Sequence, residues 1–271
     1  MSIEIICPDH PRGDFRAAIF DFDGTLSLLR RNWTDVMIPM MVRILQETGT
    51  SETAEELYAL VEDFVARLTG RQTIYQMMRL AEEVRRRGTE PLEPLEYKRR
   101  YHDLLWQQVG GTVEAARSGA VPRDDFTVPG SRELLESLQR RNICLYLASG
   151  TDLAYVQDEV AVLGLDRFFS PRIYGALDDY KRFSKAMVIE KIIRDTGVQG
   201  RNLIGFGDGF VEIEEIKKVG GLAVGVASDE VNRCGINAWK RQRLIQAGAD
   251  LIVADYRELD DLLRTLGLSR Q

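Results

Sequence analysis

The sequence predicts an α/β fold in which a parallel sheet is covered on both faces and an all-helical block is inserted after the first strand. Three observations carry this reading. From about position 126 onward, short apolar runs alternate with amphipathic segments of roughly ten residues, the pattern of βαβ units. One apolar run, Ala17–Phe20, stands alone far upstream. Between the two lies a stretch, 27–125, in which glycine is sparse, helix formers dominate and no strand pattern appears. A chain of 271 residues is long enough for one large domain or two smaller ones. The division expected is 1–26 with 126–271 as the α/β core, and 27–125 as the helical domain.

The elements follow in order. Ile3–Ile6 is a possible short strand inside an N-terminal extension, 1–16, that ends in a turn-rich run from Pro8 to Gly13. Ala17–Phe20 is a buried strand because all four residues are apolar. Trp33–Thr48, Ser51–Thr69, Gln72–Arg87 and Pro94–Val109 are predicted helices. In the second of these, Leu57, Leu60, Val61, Phe64, Val65 and Leu68 recur at helical spacing. Ser51 is its expected N-cap. Gly49, Gly70, Gly88 and the Gly110-Gly111 pair are expected to separate the helices, and Pro39 to kink the first. The closing alternation is helix Ser131–Arg141, strand Asn142–Ala148, helix Leu153–Leu163, strand Arg172–Tyr174, and helix Lys185–Thr196 capped by Ser184. It continues with strand Asn202–Phe206, helix Glu212–Val219, strand Leu222–Val226, helix Trp239–Ala247, strand Leu251–Ala254 and helix Arg257–Leu266.

Composition excludes several classes. The net charge of −6 gives no reason to expect nucleic-acid binding. No apolar run approaches 18 residues, so no membrane span is expected. The N-terminus lacks the basic start and apolar core of a secretory signal. Cys7, Cys144 and Cys234 are few and show no CxxC spacing, which fits a reducing, cytoplasmic setting. With His10 and His102 the only histidines, a histidine triad or zinc site is not expected. The runs Arg85-Arg86-Arg87 and Lys98-Arg99-Arg100 read as solvated helix faces.

The chemistry is concentrated where the first strand ends, in Asp21-Phe22-Asp23-Gly24-Thr25-Leu26. In an extended segment, residues i and i+2 share a side. Asp21 and Asp23 therefore face one point just past the strand, where α/β sheets bind ligands. Two carboxylates so close repel unless a cation or a shared proton relieves them. That leaves Mg²⁺ coordination, or a division of labour between a nucleophile and a proton donor.

This hexapeptide after an apolar strand resembles the first signature of the haloacid dehalogenase superfamily of phosphohydrolases. Three further stretches resemble its later signatures, in order. Leu145-Tyr146-Leu147-Ala148-Ser149-Gly150-Thr151 is a strand ending in a hydroxyl. Lys185 is a basic residue at a helix start, with Lys181 and Arg182 as nearby competitors. Leu203-Ile204-Gly205-Phe206-Gly207-Asp208-Gly209 ends a strand in an acid, and Glu212 stands where the family usually has a second aspartate. The resemblance covers Ala17–Leu26 and about Val128–Leu266, and the helical block matches in placement alone. It implies a Rossmann-like parallel sheet core with an inserted all-α cap domain, of the phosphoglycolate phosphatase and β-phosphoglucomutase branch.

What the resemblance implies for the site is specific. Asp21 is the nucleophile and Asp23 the general acid and base. Phe22 and Gly150 (through their backbone), Ser149 and Lys185 bind phosphate. Mg²⁺ sits between the Asp21 carboxylate, the Asp23 carbonyl and Asp208. Glu212 either reaches the metal through water or orients Lys185. Arg30, Arg31, Trp33, Arg71 and Gln72 are candidate substrate contacts from the cap and its hinges, Ser27–Asn32 and Val121–Gly130. The expected partner is a small phosphorylated metabolite, a phosphosugar or a phosphoglycolate-like acid, and the expected activity is its Mg²⁺-dependent hydrolysis. The alternatives are a phosphomutase that returns the phosphate to its substrate, and a non-catalytic binding protein.

Overall fold

The computed structural model describes residues 3–177 and 179–268. Among these residues seven strands form one sheet: β1 (Ile3–Ile5), β2 (Ala17–Phe20), β3 (Cys144–Asp152), β4 (Ile173–Ala176), β5 (Leu203–Gly207), β6 (Leu222–Val226) and β7 (Leu251–Val253). Their order is β1-β7-β6-β5-β2-β3-β4. Every pair is parallel except β1 with β7. The N-terminal segment is therefore not an extension beside the sheet: it adds an antiparallel edge strand, and the sheet is mixed. Ile6 and Cys7 N–H groups continue the attachment by donating to the Asp250 carbonyl.

The strands are continuous apolar runs because both faces are covered. On β2, Ala18 and Phe20 face one core, which α5 (Ser131–Arg140), α6 (Leu153–Val162), α7 (Asp166–Phe169) and α11 (Leu259–Thr265) complete. Ala17 and Ile19 face the other, beneath α8 (Lys185–Thr196), α9 (Phe210–Lys218) and α10 (Ala238–Gln246). Phe20 stacks on Phe206 of the neighbouring strand, ring centroids 4.5 Å apart. β2 and β5 are thereby locked in register at the end where both carry acids.

The stretch after β2 holds α1 (Thr34–Gln46), α2 (Ala54–Leu68), α3 (Thr73–Arg86) and α4 (Pro94–Ser118), packed around a core of their own. Two local expectations, the α2 cap and the glycine break, are corrected here. The α2 cap is Thr53, not Ser51. Thr53 Oγ1 accepts from Glu56 N and Glu56 Oε2 accepts from Thr53 N, a reciprocal box that Ser51 has no partner to form. Pro39 lies inside an unbroken α1; the bond it forfeits is to Asp35, in the first turn. The Gly110-Gly111 pair does not end α4, which runs on to Ser118. Two helical glycines cost about 1 kcal/mol each, less than the burial of Val109, Val113 and Ala116 on either side returns. Val113 and Ala116 pack into the sheet's core rather than that of the helical block. Among the described residues no helix is long and apolar enough to cross a membrane.

Candidate active site

β3, β2 and β5 lie side by side and parallel, so their carboxyl ends form one rim. Each contributes the residue that follows its last apolar position. Asp21 continues β2, its N–H donating to the Phe206 carbonyl at 2.9 Å. Phe22 turns its ring into the core, which leaves only its backbone at the rim; its carbonyl accepts from Leu26 and Ser27. Gly24 follows with φ +74°, and a Cβ there would lie 2.2 Å from Asp208 Oδ2. The turn thus needs glycine both for its dihedral and for the close approach of β5.

β3 is longer than its apolar run and ends at Asp152, past the expected Ala148. Its register against β4 slips between Ala148 and Asp152, the mark of a bulge. Ser149, Gly150 and Thr151 sit in that irregular end. Ser149 is buried, and its Oγ accepts from Thr151 N at 3.1 Å. Thr151 donates through Oγ1 to Asp23 Oδ2 at 2.9 Å. The fourth contribution is Lys185, first residue of α8. Ser184 fixes its position by accepting from Met187 N. Lys185 Nζ donates to Asp21 Oδ1 at 2.6 Å and also ion-pairs with Glu212, all three side chains being buried. Lys181 and Arg182, the competing cations, are exposed.

Asp21, Asp23, Ser149, Gly150, Lys185 and Asp208 all line one cavity of about 90 Å³, far below the roughly 300–1,000 Å³ of a site for a drug-sized ligand. The helical block supplies the opposite wall with Trp33, Met37, Gly70, Arg71 and Tyr101. Gly150 and Arg71 meet so closely that a Cβ on Gly150 would sit 2.5 Å from the Arg71 carbonyl oxygen. Of the substrate-contact candidates, Arg30, Trp33 and Arg71 face the cavity, and Arg31 is exposed away from it. Gln72 is buried elsewhere, donating through Nε2 to the Tyr180 and Phe183 carbonyls. It clasps the segment that leads into Lys185. Lys98 is not a solvated face either: it ion-pairs with Asp152 at the end of β3.

Electrostatics follow from burial. Desolvation pushes Asp21 up to about 6, against the pull of Lys185 and with the repulsion of Asp208. Desolvation also pushes Asp23 up to about 6, opposed by Arg30 and helped by Glu159. Arg30 and Glu159 form a buried bidentate pair, Nε donating to Oε2 at 3.1 Å and Nη2 to Oε1 at 2.6 Å. That pair was invisible in the sequence. So was Lys240, which donates to Asp208 Oδ2 at 2.8 Å and Glu230 Oε1 at 2.5 Å. Burial pulls the Lys240 pKa down, but its two acids override this and raise it.

The rim suits a hard divalent cation. Lys185 bonds one oxygen of Asp21 and Lys240 one oxygen of Asp208, so each acid keeps an oxygen outside those bonds. Asp23 Oδ1 is buried and has no hydrogen-bond partner among the described residues. Asp208 raises the proton affinity of both Asp21 and Asp23, and Asp23 raises that of Asp21, a repulsion that a cation relieves. Among the described residues no three His, Cys, Asp or Glu side chains converge on one point. Mg²⁺ needs no such cage, since it keeps several waters and takes one or two carboxylates.

Residues 15–220 match the family model described as haloacid dehalogenase-like hydrolase. A predicted phosphoglycolate phosphatase from Haemophilus somnus 129PT is similar in fold, with TM-score 0.59 and 16% identity over 92% of this chain and 98% of its own. A β-phosphoglucomutase from Clostridium difficile gives 0.58 and 16% over 93% and 97%. A hydrolase of the same family from Deinococcus radiodurans R1, with bound phosphate and sodium, gives 0.55 and 16% over 94% and 98%. No curated protein matches the chain.

Proposed function

The chain belongs to the haloacid dehalogenase-like hydrolases, and on that premise we propose that it is a Mg²⁺-dependent phosphatase. It hydrolyses a small phosphorylated metabolite, a phosphosugar or phosphoglycolate-like monoester, through an aspartyl-phosphate on Asp21. The observation that carries the reading is the Asp21 carboxylate itself. It is buried, held through one oxygen by Lys185, and set in a cavity sized for a phosphoryl group.

A bound Mg²⁺, held by Asp21, the Asp23 carbonyl and Asp208, would offset the negative charge of carboxylates and phosphate. The chain's own residues do the rest. Lys185 and Ser149, with the Phe22 and Gly150 backbone, hold phosphoryl oxygens. An Asp21 carboxylate oxygen attacks phosphorus in line, and the bond to the leaving oxygen breaks. Asp23 gives that oxygen a proton. Water then attacks phosphorus, Asp23 takes the water's proton, and the phosphorus–Asp21 bond breaks to release phosphate. A carboxyl titrating near 6 serves in both directions at neutral pH. Thr151 aims it through its 2.9 Å hydrogen bond. Glu212 acts on Lys185, with which it is paired.

Helices α1–α4 serve as a cap. The cavity holds little beyond a phosphoryl group, so the cap opens about Ser27–Asn32 and Val121–Gly130 to admit substrate, then excludes water. The test is a screen of phosphorylated metabolites with and without Mg²⁺. Release of phosphate that needs Mg²⁺ and vanishes in Asp21→Asn is expected. Near-normal turnover in that variant contradicts the assignment. An isomer formed from a sugar 1-phosphate without free phosphate favours the mutase instead.

A further inference from the structure

Asp208 does not stand alone at the rim. Lys240, in the first turn of α10, and Glu230, in the loop after β6, form a chain with it: Asp208 Oδ2, Lys240 Nζ, Glu230 Oε1, at 2.8 and 2.5 Å. All three side chains are largely buried. The backbone around them is fixed at several points. Asn237 caps α10 by accepting from Lys240 N at 3.0 Å. Ser228 Oγ donates to the Gly24 carbonyl at 2.9 Å, tying the loop to the turn that carries Asp23. Asp229 Oδ1 accepts from Val231 and Asn232 N–H groups, which sets the turn beside Glu230. A Cβ on Gly24 would meet both Asp208 Oδ2 and Glu230 Oε1, at 2.2 and 3.1 Å. The chain of charges therefore packs directly against the nucleophile's turn.

Lys240 does not reach the phosphate cavity; it lines the neighbouring groove, of about 420 Å³, together with Glu230 and Asp208. Its direct hydrogen bond to the rim is the one to Asp208. An aspartate on a short stem, with one oxygen pinned by an ammonium, presents its other oxygen in one orientation. The ammonium also places a positive charge beside any cation on Asp208, which weakens that cation's binding. Glu230 offsets this charge from the far side.

We propose that Lys240 is a positioning residue clamped by Glu230: it fixes the Asp208 carboxylate for a divalent cation and lowers the site's affinity for that cation. The inference rests on the reading of Asp208 as a metal ligand. It makes opposite demands on its two members. Removing Lys240 leaves two unpaired acids beside the ion and tightens binding, while freeing Asp208 to turn. Removing the Glu230 charge leaves the lysine unbalanced and loosens binding.

The experiment is Mg²⁺ titration of the full chain by calorimetry at neutral pH, without substrate, on wild type, Lys240→Met, Lys240→Arg and Glu230→Gln, with a thermal melt of each. Lys240→Met is expected to bind Mg²⁺ about tenfold more tightly, and Glu230→Gln about tenfold more weakly. At saturating Mg²⁺, kcat of Lys240→Met falls about tenfold with little change in substrate KM, and Lys240→Arg recovers most of both properties. A merely structural role predicts instead that both variants bind more weakly, in step with their loss of melting temperature. That result, or affinities within twofold of wild type, overturns the inference while the phosphatase reading stands. A wild-type chain that binds no Mg²⁺ overturns both.

Discussion

The Arg30–Glu159 pair gives the sharpest forecast about the scaffold. Arg30 leaves the first strand's turn, and Glu159 lies on α6, so the pair ties the start of the helical insertion to the sheet's cover. Their side chains are 8% and 2% exposed. Arg30→Met strands a buried carboxylate, a loss of about 3–5 kcal/mol. At an unfolding entropy of roughly 2.1 cal/mol/K per residue, a 271-residue chain shifts by about 1.8 °C per kcal/mol. The expected fall in melting temperature is therefore about 5–9 °C by calorimetry. The double variant Arg30→Met/Glu159→Leu removes both charges and should recover most of that loss, since an apolar pair of similar volume fits such sites as well as the ions do. Arg30 also opposes the upward push of burial on Asp23. Without it Asp23 keeps its proton to higher pH, and the acid limb of the rate profile moves up. A fall below 2 °C, or a double variant no more stable than the single, refutes this account of the pair.

Other outcomes follow from the rim. Gly150→Ala drives a Cβ against the Arg71 carbonyl; overpacking of about 1–3 kcal/mol should displace the 69–72 segment and cut kcat/KM roughly tenfold, read by steady-state kinetics. Asp21 is raised to about 6 mainly by burial, so its contribution to the metal-free fold is full below pH 3.8 and is lost as pH rises through 6. Mg²⁺ must displace that proton, and its dissociation constant should grow up to about tenfold per unit as pH falls below 6. Melting curves with and without Mg²⁺ at pH 5 and 8 check this; equal stabilisation at both contradicts it. Lys185→Met leaves Asp21 and Glu212 as unpaired buried acids, and should cost about 3–5 kcal/mol by denaturant titration as well as abolish turnover.

The α/β architecture was legible because buried parallel strands are uninterrupted apolar runs and the helices between them carry one apolar stripe. The acids at 21 and 208 were legible for the same reason, since each closes an apolar run and parallel strands end at one rim, and Asp23 was legible as the i+2 partner of Asp21. Lys185 was traceable through the Ser184 cap that opens its helix. What escaped depends on tertiary approach. Glu159 reads as a surface residue of an amphipathic helix until Arg30, 129 positions away, closes over it. Lys240 and Glu230 lie in a loop and first turn with no apolar period to anchor them. The strand at Ile3–Ile5 was legible, but three residues are too few to show that it would join the sheet as an antiparallel edge. The extension of β3 through Ser149 escaped because a bulge breaks the period that would have marked it.

The central claim is that Asp21 becomes covalently phosphorylated. Its most direct measurement is borohydride trapping, with peptide mass analysis, in the Asp23→Ala variant supplied with Mg²⁺ and an aryl phosphate. That leaving group departs without a proton, whereas breakdown of the intermediate lacks its base, so the intermediate should accumulate. The account predicts conversion of residue 21, and no other, to homoserine. Phosphate release with residue 21 unmodified, or with the label on another side chain, would contradict it.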